Sequence, residues 1–444
     1  MRAKPWWIFF LPLFSLIHTP LGLGQENWPQ WRGPLGNSQV DGEALPLKWS
    51  KTENLIWKKS LPEGSSTPCV WKGKIFVTGQ DQDNLKAQCL DLADGKTLWS
   101  VTLGQGAAIR DPLKGKPGDQ RRRQKFHKLH NLASPSPVTD GKHVIFLFGN
   151  GLAVCANLEG KVVWEKNLQE EYGVFTIWWG FANSPVLFND LVILTVMQDS
   201  LDDLEGAKAE SYLVAYGIQD GKLRWKTPRN TGAKAESCDS YTTPLLRKNQ
   251  EGMELIVMGG NQLDAYDPQT GKQLWKREGL AGGRTITGPA LEGQFIYATQ
   301  GMRGPLVAFQ LNSKGIPQTN QPAWQHTKNT PDSPCPVGYR GLLFMVSDNG
   351  FAQCLDAATG QVHWSERIGG DYKASPVAGD GKVYFLNVDG VCTVVGATKE
   401  FTLLGKNSLD PGTLASMGAC QGRFLIRSRE SLALVGKAFS SVKP

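Results

Sequence analysis

An eleven-residue segment that recurs along the chain constrains its fold more than any other sequence feature. The fullest copy is AYDPQTGKQLW, residues 265–275, and CLDLADGKTLW (89–99) and CLDAATGQVHW (354–364) keep the same register. In each copy the Asp bonds its own turn, the Gly supplies the positive φ of that turn, and the strand that follows carries the Trp. The copies therefore predict a series of β-hairpins.

Degenerate copies extend the series along the chain. Residues 215–225 carry Gly217 in place of the Asp, residues 155–164 have a shorter turn, and looser copies end at Trp324 and Leu403. Counted from Trp57, successive positions lie roughly 49 residues apart on average, a period typical of propeller blades with four strands each.

A strand–turn–strand hairpin rich in Val, Ile, Phe and Leu recurs between these copies. Eight such hairpins are present, from STPCVWKGKIFVTG (66–79) to ASMGACQGRFLIRS (415–428). The eighth lacks a following outer strand, whereas NLIWKKSL (54–61) precedes the first without a partner. Pairing the two removes an exposed sheet edge. The sequence therefore predicts an all-β fold: an eight-bladed β-propeller of four-stranded antiparallel blades, closed by an N-terminal strand in the last blade.

The beginning of the chain indicates export. Arg2 and Lys4 precede an apolar run at residues 6–17, and small residues follow at 22–24, which is the layout of a secretory signal peptide. The run is shorter than the roughly 20 residues that span a bilayer. We therefore divide the chain into a signal peptide (1–24), an N-terminal leader (25–53) and the propeller (54–444). We expect a periplasmic or secreted monomer with no transmembrane segment in the mature chain.

The pattern A-x-D-x-x-T-G-x-x-x-W, complete in residues 265–275, resembles the repeat of the pyrroloquinoline-quinone (PQQ) propeller family. That family comprises quinoprotein dehydrogenases and BamB-type outer-membrane assembly scaffolds, and WPQWRGPLG (28–36) resembles a leader found before such propellers. In the family the repeat Trp packs between adjacent blades. The resemblance implies structural roles for Trp57, Trp99, Trp164, Trp225, Trp275, Trp324 and Trp364, and we expect the same of the turn residues Asp91, Asp267, Asp356, Gly95, Gly271 and Gly360.

The resemblance leaves two classes of function open. In the dehydrogenases the quinone lies over the propeller axis, held by two adjacent cysteines, a stacking Trp, and Glu, Asn and Asp around calcium. The most closely spaced cysteines here, Cys335 and Cys354, are far from adjacent, and the haem motif C-x-x-C-H is missing. We therefore interpret the chain as a scaffold with no catalytic residue, no metal and no cofactor. A PQQ- and calcium-dependent alcohol or sugar dehydrogenase is the alternative, as is a ligand-binding propeller.

The eight cysteines do not fit a disulfide framework. Cys69 and Cys89 fall on the first and third strands of one predicted blade, as do Cys335 and Cys354. Such strands lie about 9.5 Å apart, twice the usual strand spacing. A disulfide requires less than roughly 7 Å between Cα atoms. We expect most of the cysteines to be small buried packing residues.

The net charge of +7 arises mainly from one basic segment, residues 110–130, so a nucleic-acid partner is not predicted. This segment is a candidate docking surface for an anionic partner, and a mobile loop without a partner is the alternative. His127 and His130 would share a metal only on a helix, and Asp119 is the one carboxylate nearby. The candidate partner-binding residues of the segment are Arg121, Arg122, Arg123, Lys125, His127 and His130.

Two further insertions are candidate sites. Residues 171–183 place Trp178 and Trp179 in a connection, where exposed aromatic rings favour binding of a protein or glycan and buried rings favour packing. Residues 199–206, DSLDDLEG, cluster carboxylates, but their spacing fits no calcium loop and indicates a solvated turn. We therefore expect an exported scaffold whose insertions contact an envelope or secreted protein, or a polymer.

Overall fold

The structure, a computed structural model, describes residues 26–439 except positions 41, 43, 107–120 and 207. The predicted signal peptide, Asp119 and the first part of the basic segment lie outside the described residues. Within them the chain forms 33 β-strands, one short helix, α1 (Leu168–Tyr172), and one 3₁₀ helix (Ala235–Cys238). Among these elements there is no helix with the length and apolar character needed to span a bilayer.

The strands form eight antiparallel sheets, most of them built from four strands that are consecutive in the chain. The first strands of neighbouring blades contact each other, so they surround a common axis. Blades 1 to 4 comprise β3 (Cys69–Trp71), β4 (Lys74–Asp81), β5 (Asn84–Asp91) and β6 (Thr97–Gln105); β7 (Val138–Thr139), β8 (His143–Leu147), β9 (Leu152–Asn157) and β10 (Val162–Asn167); β11 (Val186–Phe188), β12 (Leu191–Val196), β13 (Tyr212–Gly217) and β14 (Leu223–Pro228); and β15 (Leu245–Lys248), β16 (Met253–Gly259), β17 (Gln262–Tyr266) and β18 (Gln273–Glu278).

The second half of the ring follows the same plan. Blade 7 gains β1 (Gln39–Val40) as a fifth, parallel strand, and blade 8 takes β2 (Leu55–Ser60) as its outer strand. Blades 5 to 8 comprise β19 (Ala290–Glu292), β20 (Phe295–Thr299), β21 (Leu306–Gln310) and β22 (Trp324–His326); β23 (Val337–Tyr339), β24 (Leu342–Val346), β25 (Phe351–Asp356) and β26 (Val362–Arg367); β27 (Val377–Gly379), β28 (Lys382–Leu386), β29 (Val391–Gly396) and β30 (Leu403–Ser408); and β31 (Gly418–Cys420), β32 (Arg423–Arg427) and β33 (Ser431–Gly436).

The ring closes through the strand predicted to close it. β2 pairs antiparallel with β33, and Trp57 lies opposite Leu434. Buried apolar side chains form layers between neighbouring blades, as where Ile145 of blade 2 packs in one cluster with Val192 of blade 3. The eight-bladed antiparallel propeller is therefore confirmed, with its core distributed between the blades.

In most blades the repeat Trp joins one blade to the next. Trp57 Nε1 donates to the carbonyl of Leu92 at 2.8 Å, and Trp99 Nε1 donates to that of Leu158 at 2.9 Å. Trp164, Trp225, Trp324 and Trp364 make the corresponding bonds to Ile218, Pro268, Ala357 and Thr398. Trp275 departs from the pattern, because its Nε1 donates to Glu254 Oε2.

The turns of the repeat have the predicted chemistry. Asp91, Asp267 and Asp356 each accept a backbone N–H two residues further on through Oδ1. Gly95, Gly271 and Gly360 have φ of 71°, 72° and 73°. These glycines also lie directly against the Trp ring of the preceding blade, so they satisfy a turn and a close packing contact at once.

All eight cysteines are free and buried, as expected of packing residues. Phe76 lies between Cys69 and Cys89 across three neighbouring strands, which keeps this pair apart. Burial raises the pKa of Cys89, Cys155 and Cys354 to about 12. These thiols are therefore protonated at neutral pH.

The leader covers the side of the ring where the innermost strands end. Trp28 is fully buried and exchanges two backbone hydrogen bonds with Val70. Arg32 is also buried and donates at 2.9 Å to the carbonyls of both Pro289 and Pro336. The side chain of Arg32 thereby connects the leader to blades 5 and 6.

Candidate functional site: the axial cavity

A ring of short side chains surrounds the axis where the innermost strands begin. At each of six positions the backbone N–H of one blade donates to the side chain of the next blade, always at 3.0 Å. Thr67 Oγ1 donates to the carbonyl of Ser416 at 3.1 Å and joins the last blade to the first. We call this set the axial ring: Thr67, Ser136, Ser184, Thr243, Gly288, Cys335, Ser375 and Ser416.

A cavity of about 590 Å³ opens above the axial ring, on the face opposite the leader. Trp31 of the leader lines its floor, and a Cβ on Gly288 would lie 3.7 Å from the Trp31 ring. Arg32, the next residue, is anchored to Pro289 and Pro336. The leader therefore closes one end of the axis, so that ligands reach the cavity from the other.

One wall of the cavity is charged. Arg284 Nη2 lies 2.9 Å from Asp332 Oδ2, and its Nε lies 3.8 Å from Glu236 Oε1. Lys373 Nζ lies 2.6 Å from Asp348 Oδ1. Burial raises the pKa of Asp332, whereas the pKa of Asp348 is lowered because the hydrogen bond and charge of Lys373 outweigh its burial. Charges of both signs are thus held on one side of the cavity.

The adjoining wall is aromatic, and Glu236 contacts both walls. The rings of His127 and Trp179 meet edge to face, with centroids 5.9 Å apart. Trp179 is 39% exposed, and its Nε1 donates to Glu236 Oε1 at 2.7 Å. Tyr241 accepts the backbone N–H of Trp179 and donates to Asp239. These bonds fix Trp179 at the cavity mouth while leaving part of its ring exposed.

The basic and acidic insertions bind each other beside this wall. Arg121 contacts Asp199 Oδ2 through Nε at 2.7 Å and Asp203 Oδ2 through Nη1 at 2.8 Å. Trp178 Nε1 donates to the same Asp199, and Lys125 Nζ lies 5.4 Å from the Trp178 ring centroid. We call this assembly the insertion clamp. Arg121 therefore forms its ion pairs within the protein.

The residues predicted as partner-binding therefore divide into three groups. His127, His130 and Trp179 line the cavity. Arg121, Lys125 and Trp178 belong to the insertion clamp, and Arg122 and Arg123 are exposed. Residues 121–130 are not helical, so the spacing of the two histidines does not place them on one helix face. Among the described residues no three His, Cys, Asp or Glu side chains group as metal ligands.

The axial ring and the charged wall are not among the sites that the sequence predicted. The ring had a visible signal, because Ser or Thr precedes Pro at the start of most of the recurring hairpins, as in Thr67-Pro68 and Ser375-Pro376. We interpreted those residues only as strand starts. Arg284, Asp332 and Lys373 have no comparable motif, since separate blades bring them together.

The cavity does not provide the donors that the family resemblance implies for a quinone with calcium. Among the described residues, Cys335 is the only cysteine that lines the cavity, and its Sγ accepts the backbone N–H of Gly288. The lining carboxylates, Glu236 and Asp332, both face Arg284. An adjacent cysteine pair and a converging set of calcium ligands are thus not formed by the lining residues.

Comparison with sequence families gives a match over most of the chain. Residues 40–198, 206–316 and 314–400 match the family described as outer membrane protein assembly factor BamB. Comparison with curated proteins gave no match.

Solved structures of two kinds share the fold. BamB from Moraxella catarrhalis aligns with a TM-score of 0.58 at 12% identity, covering 88% of this chain and 98% of that one. The quinohemoprotein alcohol dehydrogenase from Comamonas testosteroni aligns with a TM-score of 0.60 at 13% identity, covering 94% and 82%. Structural similarity at identities this low establishes the common propeller fold alone. The function has to be inferred from the site.

Proposed function

Because the chain belongs to the family described as outer membrane protein assembly factor BamB, we propose that it is an exported binding scaffold whose cavity face engages a protein partner in the cell envelope. The observation that carries the proposal is the axial cavity, with the partly exposed Trp179 at its mouth beside Arg284 and Lys373. Aromatic and Arg side chains that become desolvated on binding supply much of the binding energy of protein interfaces.

The arrangement of the two faces supports the same proposal. The leader occupies the face where the innermost strands end, with Trp28 buried and β1 added to blade 7. On the opposite face the insertions from blades 1 to 3 meet around the mouth. Function in propellers resides in such insertions, which the rigid ring holds in place.

A matched pair of photo-crosslinking probes tests the proposal. Met302 lines the cavity and is 49% exposed, whereas Leu35 lies in the leader on the opposite face and is 71% exposed. A photoreactive amino acid is introduced at one position or the other, and the protein is irradiated in its native envelope. We expect a reproducible protein adduct from position 302 that decreases with Trp179→Ala. Adducts from position 35 alone, or from neither position, would contradict the proposal.

Titration with PQQ and calcium tests the enzymatic alternative. We propose that the scaffold acts without a cofactor, so the purified protein should show no saturable change in absorbance and no dye-linked alcohol oxidation. Saturation at a defined stoichiometry, together with turnover, would favour the dehydrogenase instead.

A further inference from the structure

The axial cavity has one open end, which restricts how a partner chain enters it. The blades enclose its sides, and Trp31, followed by the anchored Arg32, lies at its base. Its volume of about 590 Å³ falls within the roughly 300–1,000 Å³ of sites that bury most of a ligand's surface. A chain end can enter such a cavity without folding back on itself, as an inserted loop would have to.

The charged wall has donors suited to a carboxylate. Arg284 uses Nη2 for Asp332, and within the described residues its Nη1 makes no hydrogen bond. The pKa of His127 is lowered, first by burial and then by the positive charges of Lys128, Lys373 and Arg284. Asp332, Glu236 and Asp348 balance the charges of Arg284 and Lys373, so a bound carboxylate depends on directed hydrogen bonds and not on net positive charge.

One part of the lining is suited to an apolar side chain. Leu129, Ile286, Met302 and Leu414 line the cavity together with the rings of Trp31 and Trp179. Four aliphatic side chains offer a sugar no hydrogen bonds, whereas they match an aliphatic or aromatic amino acid. This apolar part of the lining therefore favours a peptide end over a glycan end.

Resting on the proposed function, we infer that the axial cavity captures the C-terminal end of the partner protein. The terminal carboxylate lies between Arg284 and Lys373, and the last side chain lies against Trp179 and the aliphatic residues. Each polypeptide has a single C-terminal carboxylate. A site that binds this group therefore selects the orientation of the bound chain as well as its sequence.

Pairs of synthetic peptides test this inference. Fluorescein-labelled octapeptides with a Gly/Ser spacer end in Leu, Phe or Asp, and each is made with a free carboxylate and with an amide. In fluorescence anisotropy we expect the free acids ending in Leu or Phe to bind, and their amides to bind about tenfold more weakly. Arg284→Gln and Lys373→Gln should remove that preference, whereas Arg224→Gln, at an exposed ion pair on an outer strand, should preserve it.

Several outcomes would overturn the inference. These are equal affinity for acid and amide, tightest binding of the peptide ending in Asp, or no binding at about 1 mM. Melting temperatures of the variants separate loss of recognition from loss of folding. If a partner cross-linked at position 302 is still captured after a Gly/Ser tail ending in Asp is added to its C-terminus, the inference fails and the scaffold proposal stands. If position 302 gives no adduct, the scaffold proposal itself fails.

Discussion

At the scale of single residues, Gly271 has no room for a side chain because the Trp225 ring lies against it. A Cβ there would lie 2.4 Å from Trp225 Cε3. Gly381 has nearly the same backbone, with φ of 69° against 72°, but nothing lies within 4 Å of its Cβ position. The two glycines therefore separate the effect of backbone strain from that of steric overlap.

We predict that Gly271→Ala destabilises the protein more than Gly381→Ala. The left-handed backbone alone costs about 1 kcal/mol for alanine. Overlap with the Trp ring adds about 2 kcal/mol at position 271, because either the ring or the turn must move. Urea denaturation of both variants measures the difference. Equal losses of unfolding free energy would show that the Trp ring moves aside without cost.

Trp275 shows that a complete repeat motif does not by itself determine the hydrogen-bond partner of its Trp. The motif is complete at residues 265–275, yet this Trp donates to Glu254 of its own blade. The next turn, between Leu311 and Trp324, is longer than the other copies and has no Gly at the position where Gly recurs in them. The bonding partner of a repeat residue therefore depends on the neighbouring copy as well as on its own.

At the scale of elements, the insertion clamp joins two loops through Arg121 and Asp199. The Asp199 side chain is fully buried and that of Arg121 is 16% exposed. We predict that Arg121→Ala lowers the unfolding free energy by about 3 kcal/mol, because it leaves a buried carboxylate without its cation. Hydrogen exchange should increase in residues 121–130 and 176–183.

Arg123→Ala provides the matched control, since Arg123 is exposed on the same loop. We expect it to change stability by less than about 0.5 kcal/mol. If both substitutions behave alike, the ion pair contributes nothing to the position of the loops. If partner capture declines with Arg123→Ala alone, the exposed arginine is the docking residue.

These elements differ in how far the sequence predicted them. Strands and hairpins were predictable because each carries its own alternation, turn residues and Trp, as in residues 354–364. The clamp was not, because Arg121 and Asp199 are 78 residues apart and each insertion appeared separately as a charged loop. The leader likewise contacts blades that are hundreds of residues away, as Arg32 does with Pro336.

At the scale of the whole molecule, the structural role of the axial residues follows from closure of the blades into a ring. A Ser or Thr before Pro is unremarkable in one hairpin, but in successive blades these side chains accept hydrogen bonds around the axis. Blade count and closure followed from the sequence, because the eighth hairpin lacked a strand that residues 54–61 supply. The charged wall did not, since it combines residues of blades 5, 6 and 7.

The axial ring is interrupted at Gly288, which offers the backbone N–H of Thr243 no side-chain acceptor. A Cβ at this position would lie 3.4 Å from Cys335 Sγ and 3.6 Å from the carbonyl of Thr243, both ordinary contacts. The corresponding serines, such as Ser184 and Ser375, accept from the preceding blade at 3.0 Å. A serine at position 288 is therefore placed to complete the series.

We predict that Gly288→Ser raises the unfolding free energy by about 1 kcal/mol, the net contribution of one such hydrogen bond. Gly288→Ala is the control, because it restricts the unfolded chain equally but adds no acceptor. Thermal or urea denaturation should rank serine above alanine. If alanine stabilises as much as serine, the gain comes from the backbone alone, and the hydrogen bonds of the ring add little to holding the blades together.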